Sequence, residues 1–186
     1  MTIQRADAQR NYARILAVAE EEVAAHGADA SLEQIARIAG VGSATVRRHF
    51  PSRRVLLAAV FSERIETLCA RATDLANASD PRLALLDWLS ALTAYATSAR
   101  GMADALLQDG LDDTDHVNAC SAKLSDAVDP LVHRAIQSGA VAPDVTTTDL
   151  ITLVTGIALA TEHHSDPAAE AKRLLALTVR GVSPQR

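Results

Sequence analysis

A helix-turn-helix pattern over residues 31–56 constrains the fold of this chain more than any other feature of its sequence. Ser31 is followed three residues later by Gln34, which is a capping box and predicts the start of a short helix. Gly40 predicts the end of that helix near Ala39, and a second helix is expected over residues 43–50. Two short helices joined by a tight glycine turn are typical of DNA-binding proteins.

Both predicted helices have an apolar side and a polar side. On the first helix, apolar residues recur at helical spacing at Leu32, Ile35, Ala36 and Ala39. On the second, Val46 and Phe50 lie four residues apart and predict the buried side. The opposite side carries Ser43, Ala44, Arg47 and Arg48. Because small residues let a helix end approach base edges and Arg suits bidentate contact with guanine, Arg47 and Arg48 are candidates for base readout.

Positive charge is concentrated in this segment. Residues 31–56 contain five Arg and one Glu, a net charge of +4 in a chain whose total is −5, so the other residues sum to −9. A third helix is expected to begin after Ser52, with Arg53 and Arg54 in its first turn, where free backbone N–H groups suit phosphate anions. Paired arginines are also common on solvated helices. The DNA-binding interpretation therefore depends on the caps, the glycine turn and the local charge occurring together.

Further positions in the first sixty residues extend the pattern: Arg14-Ile15-Leu16, Ala17, Ala19, Gly27, Ile35-Ala36, Ala39-Gly40-Val41, Thr45, His49-Phe50, Ser52-Arg53 and Leu56. With these residues the segment resembles the DNA-binding domain of TetR/AcrR-type bacterial transcriptional regulators. The resemblance implies that Thr45, His49 and Arg53 hold DNA phosphates and that the polar side of the second helix faces bases. The predicted caps Ser31 and Ser52 complete the expected DNA-binding set. Most members have Tyr where this chain has Arg47, so contact of Arg47 with guanine or with phosphate both stay open.

The rest of the chain is predicted to be helical as well. Its 186 residues include only five aromatic side chains, and no segment alternates as a half-buried strand would. We expect an all-α fold, with an N-terminal three-helix helix-turn-helix domain over residues 1–52 and a larger helical ligand-binding and dimerisation domain over residues 53–186, about nine helices. Caps, glycines and prolines predict helices over residues 7–25, 52–77, 81–100, 103–107, 116–138, 147–162 and 167–180.

The last two predicted helices have the composition of an interface. They carry apolar residues on successive turns, at Leu150, Val154, Ile157 and Ala158 and at Ala171, Leu174, Leu175 and Thr178. The family resemblance implies that these helices pair with a second copy in a four-helix bundle. Such a homodimer would place two recognition helices about one DNA turn apart on a palindromic operator. The alternative is that this face packs within its own domain.

The middle helices resemble the C-terminal domain of SbtR-like regulators, on the runs Trp88-Leu89, Arg100-Gly101 and Ala105-Leu106-Leu107. The resemblance implies a pocket for a small-molecule effector whose identity the sequence does not reveal. Candidate pocket residues combine apolar bulk with polar groups: Trp88, Leu92, Tyr95, Met102, His116, Cys120 and His133. Each of them is also compatible with an ordinary core position.

Several classes of protein are disfavoured by what the sequence lacks. Residues 1–14 have no apolar core of a signal peptide, and the longest apolar stretch, residues 151–160, is about half the length that spans a bilayer. We therefore expect a cytoplasmic protein without a membrane partner. No GxSxG, HExxH or P-loop occurs, and Cys69 and Cys120 belong to no CxxC motif. We expect no enzymatic activity, no metal and no cofactor.

The sequence thus predicts a sequence-specific DNA-binding transcriptional regulator. Its expected form is a homodimeric repressor that a small-molecule effector releases from a palindromic operator in double-stranded DNA. The alternative is a helical small-molecule-binding or interaction module without operator binding. Only the regulator should show an affinity for DNA that falls steeply as salt rises.

Overall fold

The computed structural model describes residues 2–98 and 114–182, which form eight α-helices, one short 3-10 helix and no strand. The predicted all-α fold is confirmed. In chain order the helices are α1 (Thr2–His26), α2 (Leu32–Ile38), α3 (Ser43–His49), α4 (Arg53–Leu75), α5 (Pro81–Ser98), α6 (Thr114–Gln137), α7 (Thr147–Thr161) and α8 (Pro167–Val182), with the 3-10 helix at Gly27–Asp29. The short helix predicted over residues 103–107 lies outside the described residues.

Helix α2 begins at the predicted N-cap. The Ser31 hydroxyl oxygen accepts a hydrogen bond from the Gln34 N–H at 3.4 Å. The second half of the predicted capping box is wrong, because the Gln34 side chain accepts hydrogen bonds from Arg37 at 2.8 and 3.3 Å instead of reaching back to the Ser31 amide. An arginine three residues further on offers the Gln34 oxygen a charged donor, which a backbone amide does not match.

Two helices end in the same pair of hydrogen bonds around a glycine with a positive φ angle. Gly40, at φ 62°, follows α2; its N–H donates to the Arg37 carbonyl, and the Val41 N–H donates to the Ala36 carbonyl. This pair of bonds is a Schellman motif, which needs a left-handed residue that glycine adopts without strain. Gly139, at φ 73°, ends α6 with the same two bonds. The glycine turn between α2 and α3 is therefore fixed by backbone geometry.

The first of two compact units comprises the described residues up to Glu63, together with Ser98 and Thr114. Its core is apolar and nearly solvent-free, built from Ile15, Leu16, Ala19, Val23, Ala30, Ile35, Ala36, Ala39, Val46, Phe50, Leu56, Leu57 and Val60. The last three belong to the first half of α4. The unit therefore extends past residue 52, because these α4 side chains complete the core of the helix-turn-helix.

The second unit comprises residues 64–97 with the described residues from 115 onward. Buried side chains from all its helices form the core, including Leu68, Ala72, Leu85, Trp88, Leu89, Leu92, Leu124, Val128, Leu131, Val132, Ala135, Val154, Ala171 and Leu175. The Asp80 carboxylate accepts from the Leu83 N–H, and Asp166 from the Ala169 N–H, each at 3.0 Å, which confirms the predicted starts of α5 and α8.

Polar contacts connect the helices of the second unit. The Arg71 guanidinium donates to both carboxylate oxygens of Asp87 at 2.8 and 2.9 Å. Arg134 donates to the carbonyls of Ala76 and Ala78 and so holds the segment after α4 against α6. None of the described helices has the length and apolarity needed to cross a membrane.

Candidate nucleic-acid interface and ligand site

Helix α3 divides into a buried and an exposed side as the sequence predicts. Val46 and Phe50 are each 1% exposed and anchor the helix in the first core. The opposite side carries exposed side chains at Ser43, Ala44, Arg47 and Arg48. The first two are small, so the amino-terminal end of α3 presents little bulk to an approaching surface. A duplex major groove admits a helix of this kind.

Acidic neighbours hold two of the candidate arginines. Arg47 Nη2 lies 3.6 Å from Glu33 Oε1 on α2, and Arg53 Nη2 lies 3.6 Å from Asp29 Oδ1. All four side chains are largely solvent-exposed, and exposed ion pairs contribute only about 0–1 kcal/mol. Arg48 makes no ion pair or side-chain hydrogen bond within the described part of the chain. Because the two ion pairs are weak, DNA phosphates or base edges can replace the carboxylates of Glu33 and Asp29 at a small cost in free energy.

An aromatic group borders the exposed side of α3. The rings of Tyr12 and Phe50 stack with centroids 5.1 Å apart, and the half-buried His49 ring meets Tyr12 edge-on at 6.0 Å. These contacts fix the position of His49, which the family resemblance assigns to phosphate binding. Tyr12 was missed by the sequence analysis, although its spacing from the apolar Ile15 and Leu16 on α1 places it at the edge of the buried side. It is 38% exposed.

The remaining residues of the predicted DNA-binding set lie at or near the starts of helices. Ser52 Oγ accepts a hydrogen bond from the Val55 N–H at 3.2 Å, so it caps α4 as predicted. Ser31 caps α2 in the same way, and Thr45 is half-buried within α3. The structure thus gives both serines a structural role, and DNA contact by them stays a prediction.

Two of the predicted ligand-pocket residues are core residues. Trp88 is 1% exposed, and its Nε1–H donates to the Leu68 carbonyl at 3.0 Å. Leu92, one turn further along α5, is 5% exposed. The spacing that indicated an inward face was correct. The helical spacing identifies side chains that pack in the interior, and neither Trp88 nor Leu92 lines the apolar cavity described below.

Tyr95 and Cys120 lie near each other in a second part of the interior. Both side chains are half-buried. Burial raises the pKa of Tyr95 well above its ordinary value, while the nearby Arg64 lowers it and Cys120 adds to the rise. Burial also raises the pKa of the Cys69 thiol, which donates to the Lys123 carbonyl at 3.8 Å. A thiol and a phenol with raised pKa values are neutral near pH 7.

His133, another predicted ligand residue, does not join this group. His133 is exposed on α6, with Nδ1 3.0 Å from the Asp129 carbonyl and 3.5 Å from an Asp129 carboxylate oxygen. An exposed imidazole cannot line an enclosed pocket. Met102 and the side chain of His116 lie outside the described residues. Across the described ranges, no three His, Cys, Asp or Glu side chains are grouped in a way that would hold a metal ion.

The second unit contains an apolar cavity of about 70 Å³ between α5, residues 140–145, α7 and α8. Four predicted dimer residues line it: Leu150, Val154, Leu175 and Thr178. The sequence analysis placed the ligand site nearer the middle of α5, and it missed this cavity. The apolar face of the last two helices could have indicated the cavity, but the prediction assigned this face to contact with a partner subunit.

The predicted dimer residues lie mostly inside the protomer. Val154 and Ala171 have no exposed area, and Leu175, Ile157 and Ala158 are 6–8% exposed. Side chains buried in one chain cannot also supply area to a partner, so for these residues the alternative holds: the face packs within its own domain. Leu174 is half-buried. The exposed apolar side chains of the two helices include Leu159 at 66% and Leu177 at 43%.

Comparison with known proteins agrees with this geometry. The family model for bacterial regulatory proteins of the tetR family matches residues 15–60. The family model for the C-terminal domain of SbtR-like transcriptional regulators matches residues 80–184. No curated protein matches the sequence.

The solved structures that resemble almost the whole chain include two TetR-family regulators. A TetR transcriptional regulator from Streptomyces coelicolor is 34% identical, with a TM-score of 0.74, and the match covers 94% of this chain and 99% of that one. A TetR transcription regulatory protein from Mycobacterium vanbaalenii is 30% identical, with a TM-score of 0.72 and coverage of 97% and 99%. The chain therefore belongs to the TetR family of bacterial transcriptional regulators, which are DNA-binding and non-enzymatic.

Proposed function

We propose that this regulator is a homodimeric repressor that binds a palindromic operator and leaves it when a small-molecule effector binds. Residues 1–52 are assigned to DNA binding and residues 53–186 to ligand binding and dimerisation, in the cytoplasm. The observation that carries the DNA-binding part is the exposed side of α3. It presents Ser43, Ala44, Arg47 and Arg48 to solvent, while Val46 and Phe50 hold the helix in the core.

Selection from a random duplex library tests the operator. The purified full chain is expected to enrich a palindrome whose half-sites are about one helical turn apart, as two recognition helices require. When the binding of the selected duplex is measured at increasing salt, the logarithm of the affinity should fall steeply and linearly with the logarithm of the salt concentration. A library without enrichment would favour the alternative, a helical module that binds small molecules but no operator.

Two substitutions separate base readout from phosphate binding. Arg48→Ala should cost about 1–3 kcal/mol of operator affinity and relax the preference at one base pair, whereas Arg53→Ala should weaken all DNA alike and reduce the salt slope by about one. Arg173→Ala is the matched control, because Arg173 pairs with Glu170 on α8, far along the chain from α3. Equal losses on operator and random DNA for Arg48→Ala would remove Arg48 from the readout set.

The dimer is proposed to use the exposed sides of α7 and α8. Leu159 and Leu177 are large apolar side chains in solvent there, and the exposed Gly156 has open space where a side chain would stand. Sedimentation at micromolar concentration should show the mass of two chains. Leu159→Glu should give single chains, and Leu83→Glu, at a 59% exposed position on α5, should leave the dimer intact. A single-chain mass for the unmodified protein would contradict the dimer.

Release by an effector requires a difference in affinity between two states. A ligand lowers operator affinity only if it binds the DNA-free conformation more tightly than the DNA-bound one. Crystal structures of the dimer with ligand and with DNA should therefore differ in the spacing of the two α3 helices. Identical spacing in both would refute the release mechanism without touching DNA binding itself.

A further inference from the structure

The cavity of the second unit has an almost wholly aliphatic wall. Leu89 on α5, Leu150 and Val154 on α7 and Leu175 on α8 contribute to it. The Thr178 hydroxyl also lies there, but it donates to the Leu174 carbonyl of its own helix at 3.0 Å. A wall of this kind attracts hydrocarbon and gives a water molecule few partners.

Among the described residues that line the cavity, Arg82 is the one charged side chain. It is solvent-exposed on the first turn of α5. Within residues 2–98 and 114–182 it makes no ion pair or side-chain hydrogen bond, whereas Arg71 on the neighbouring helix α4 is bound to Asp87 through two bonds. A guanidinium stays charged at every physiological pH and matches the planar geometry of a carboxylate. The opening of the cavity therefore offers a cation to an anionic group.

The size of the cavity restricts what can enter. Its volume of about 70 Å³ exceeds the roughly 10–15 Å³ that a cavity needs to hold one water and is about half the 150 Å³ of an engineered apolar cavity that binds benzene. The enclosed part of the cavity holds a few carbon atoms, and its open side leaves room for the remainder of a short alkyl chain. A single cation also matches a single negative charge better than the double charge of a phosphate monoester.

We propose that this cavity is a binding site for a short-chain aliphatic carboxylate, with the alkyl end among Leu89, Val154 and Leu175 and the carboxylate on Arg82. The site differs from the pocket predicted around Trp88 and Tyr95. Its use as an effector site rests on the proposed repressor function, but ligand binding there does not depend on DNA and is measured without it.

Hexanoate is a suitable probe, with hexan-1-ol as its uncharged counterpart. In the full-length protein with labelled Leu and Val methyl groups, titration with hexanoate should shift the NMR signals of Leu89, Leu150 and Val154. Hexanoate should bind about two- to fivefold more tightly than hexan-1-ol, since an exposed ion pair contributes at most about 1 kcal/mol. Arg82→Gln should abolish that difference, while Arg173→Gln, which removes the same charge from α8, should preserve it.

Filling the cavity is the second test. Leu153 lines the cavity and is 37% exposed, so Leu153→Trp can place its ring in the opening without disturbing the buried core. This variant should lose the hexanoate shifts, and Leu83→Trp on the exposed side of α5 should keep them. The proposal is overturned if the cavity methyl signals do not move, if hexanoate and hexan-1-ol bind equally, or if Leu153→Trp binds as the parent does. Failure of operator binding would leave all three measurements unchanged.

Discussion

Trp88 offers the sharpest test of whether the centre of α5 is core or pocket. Trp88→Phe removes the hydrogen bond to the Leu68 carbonyl and part of a ring that is 1% exposed. The bond contributes about 1 kcal/mol. A residual cavity of about 40 Å³ adds roughly 1 kcal/mol at 24 cal/mol per Å³. The free energy of unfolding of the second unit should therefore fall by about 2 kcal/mol, or about 1 M in the urea midpoint.

Circular dichroism is the appropriate signal for this comparison, because Trp88 is the only tryptophan and the variant has no tryptophan fluorescence. Leu83→Ala is the control on the same helix, since an exposed side chain should change stability by less than about 0.5 kcal/mol. Equal urea midpoints for Trp88→Phe and the parent would refute the core assignment. If Trp88→Phe lost ligand binding but unfolded at the same urea concentration as the parent, Trp88 would be assigned to the ligand pocket.

Substitutions at three further positions test the local interactions that shape the two units. Gly40→Ala should destabilise the first unit by about 1–2 kcal/mol, because φ is 62° there, and Gly40→Asn should cost less, because Asn tolerates this conformation; urea unfolding measures both. Arg134→Met keeps most of the side-chain volume but loses both carbonyl contacts after α4, so faster amide hydrogen exchange is expected at residues 76–78. At Asp149, hydrogen bonds from the Thr146 hydroxyl and amide hold the carboxyl pKa below its ordinary 3.8. The carboxylate therefore stabilises the fold above pH 3.8, and this stabilisation is lost as the pH falls through the lowered pKa. Asp149→Ala should accordingly have a lower urea midpoint than the parent at pH 7, and the two midpoints should converge in strong acid; a constant difference at all pH values would contradict this linkage.

Helix boundaries were the most predictable part of the fold, because caps act over three or four residues. Ser52, Asp80 and Asp166 begin helices as the sequence indicated, and each accepts a backbone hydrogen bond. The predicted hydrogen bond from the Ser31 amide to the Gln34 side chain does not form, because Arg37 donates to the same Gln34 oxygen. Such competition depends on rotamers, which a sequence pattern does not specify.

The function of buried residues was much less predictable. Helical periodicity correctly placed Trp88 and Val154 on inward faces, but it gives the same pattern for a packed core, a cavity wall and a subunit interface. The structure assigns Trp88 to the core and Val154 to the wall of a cavity. The pairing of Arg47 with Glu33 was equally invisible, because it joins two helices whose relative angle only the fold determines.

Helix α4 contributes to both hydrophobic cores. Leu56 and Val60 complete the first core, and Leu68 and Ala72 are buried in the second, within one continuous helix of 23 residues. A loop between domains absorbs insertions, whereas one extra residue in a helix turns everything beyond it by about 100° and advances it by about 1.5 Å. An extra residue between Leu56 and Val60 would therefore turn Val60 out of the first core, and an extra residue between Leu68 and Ala72 would turn Ala72 out of the second.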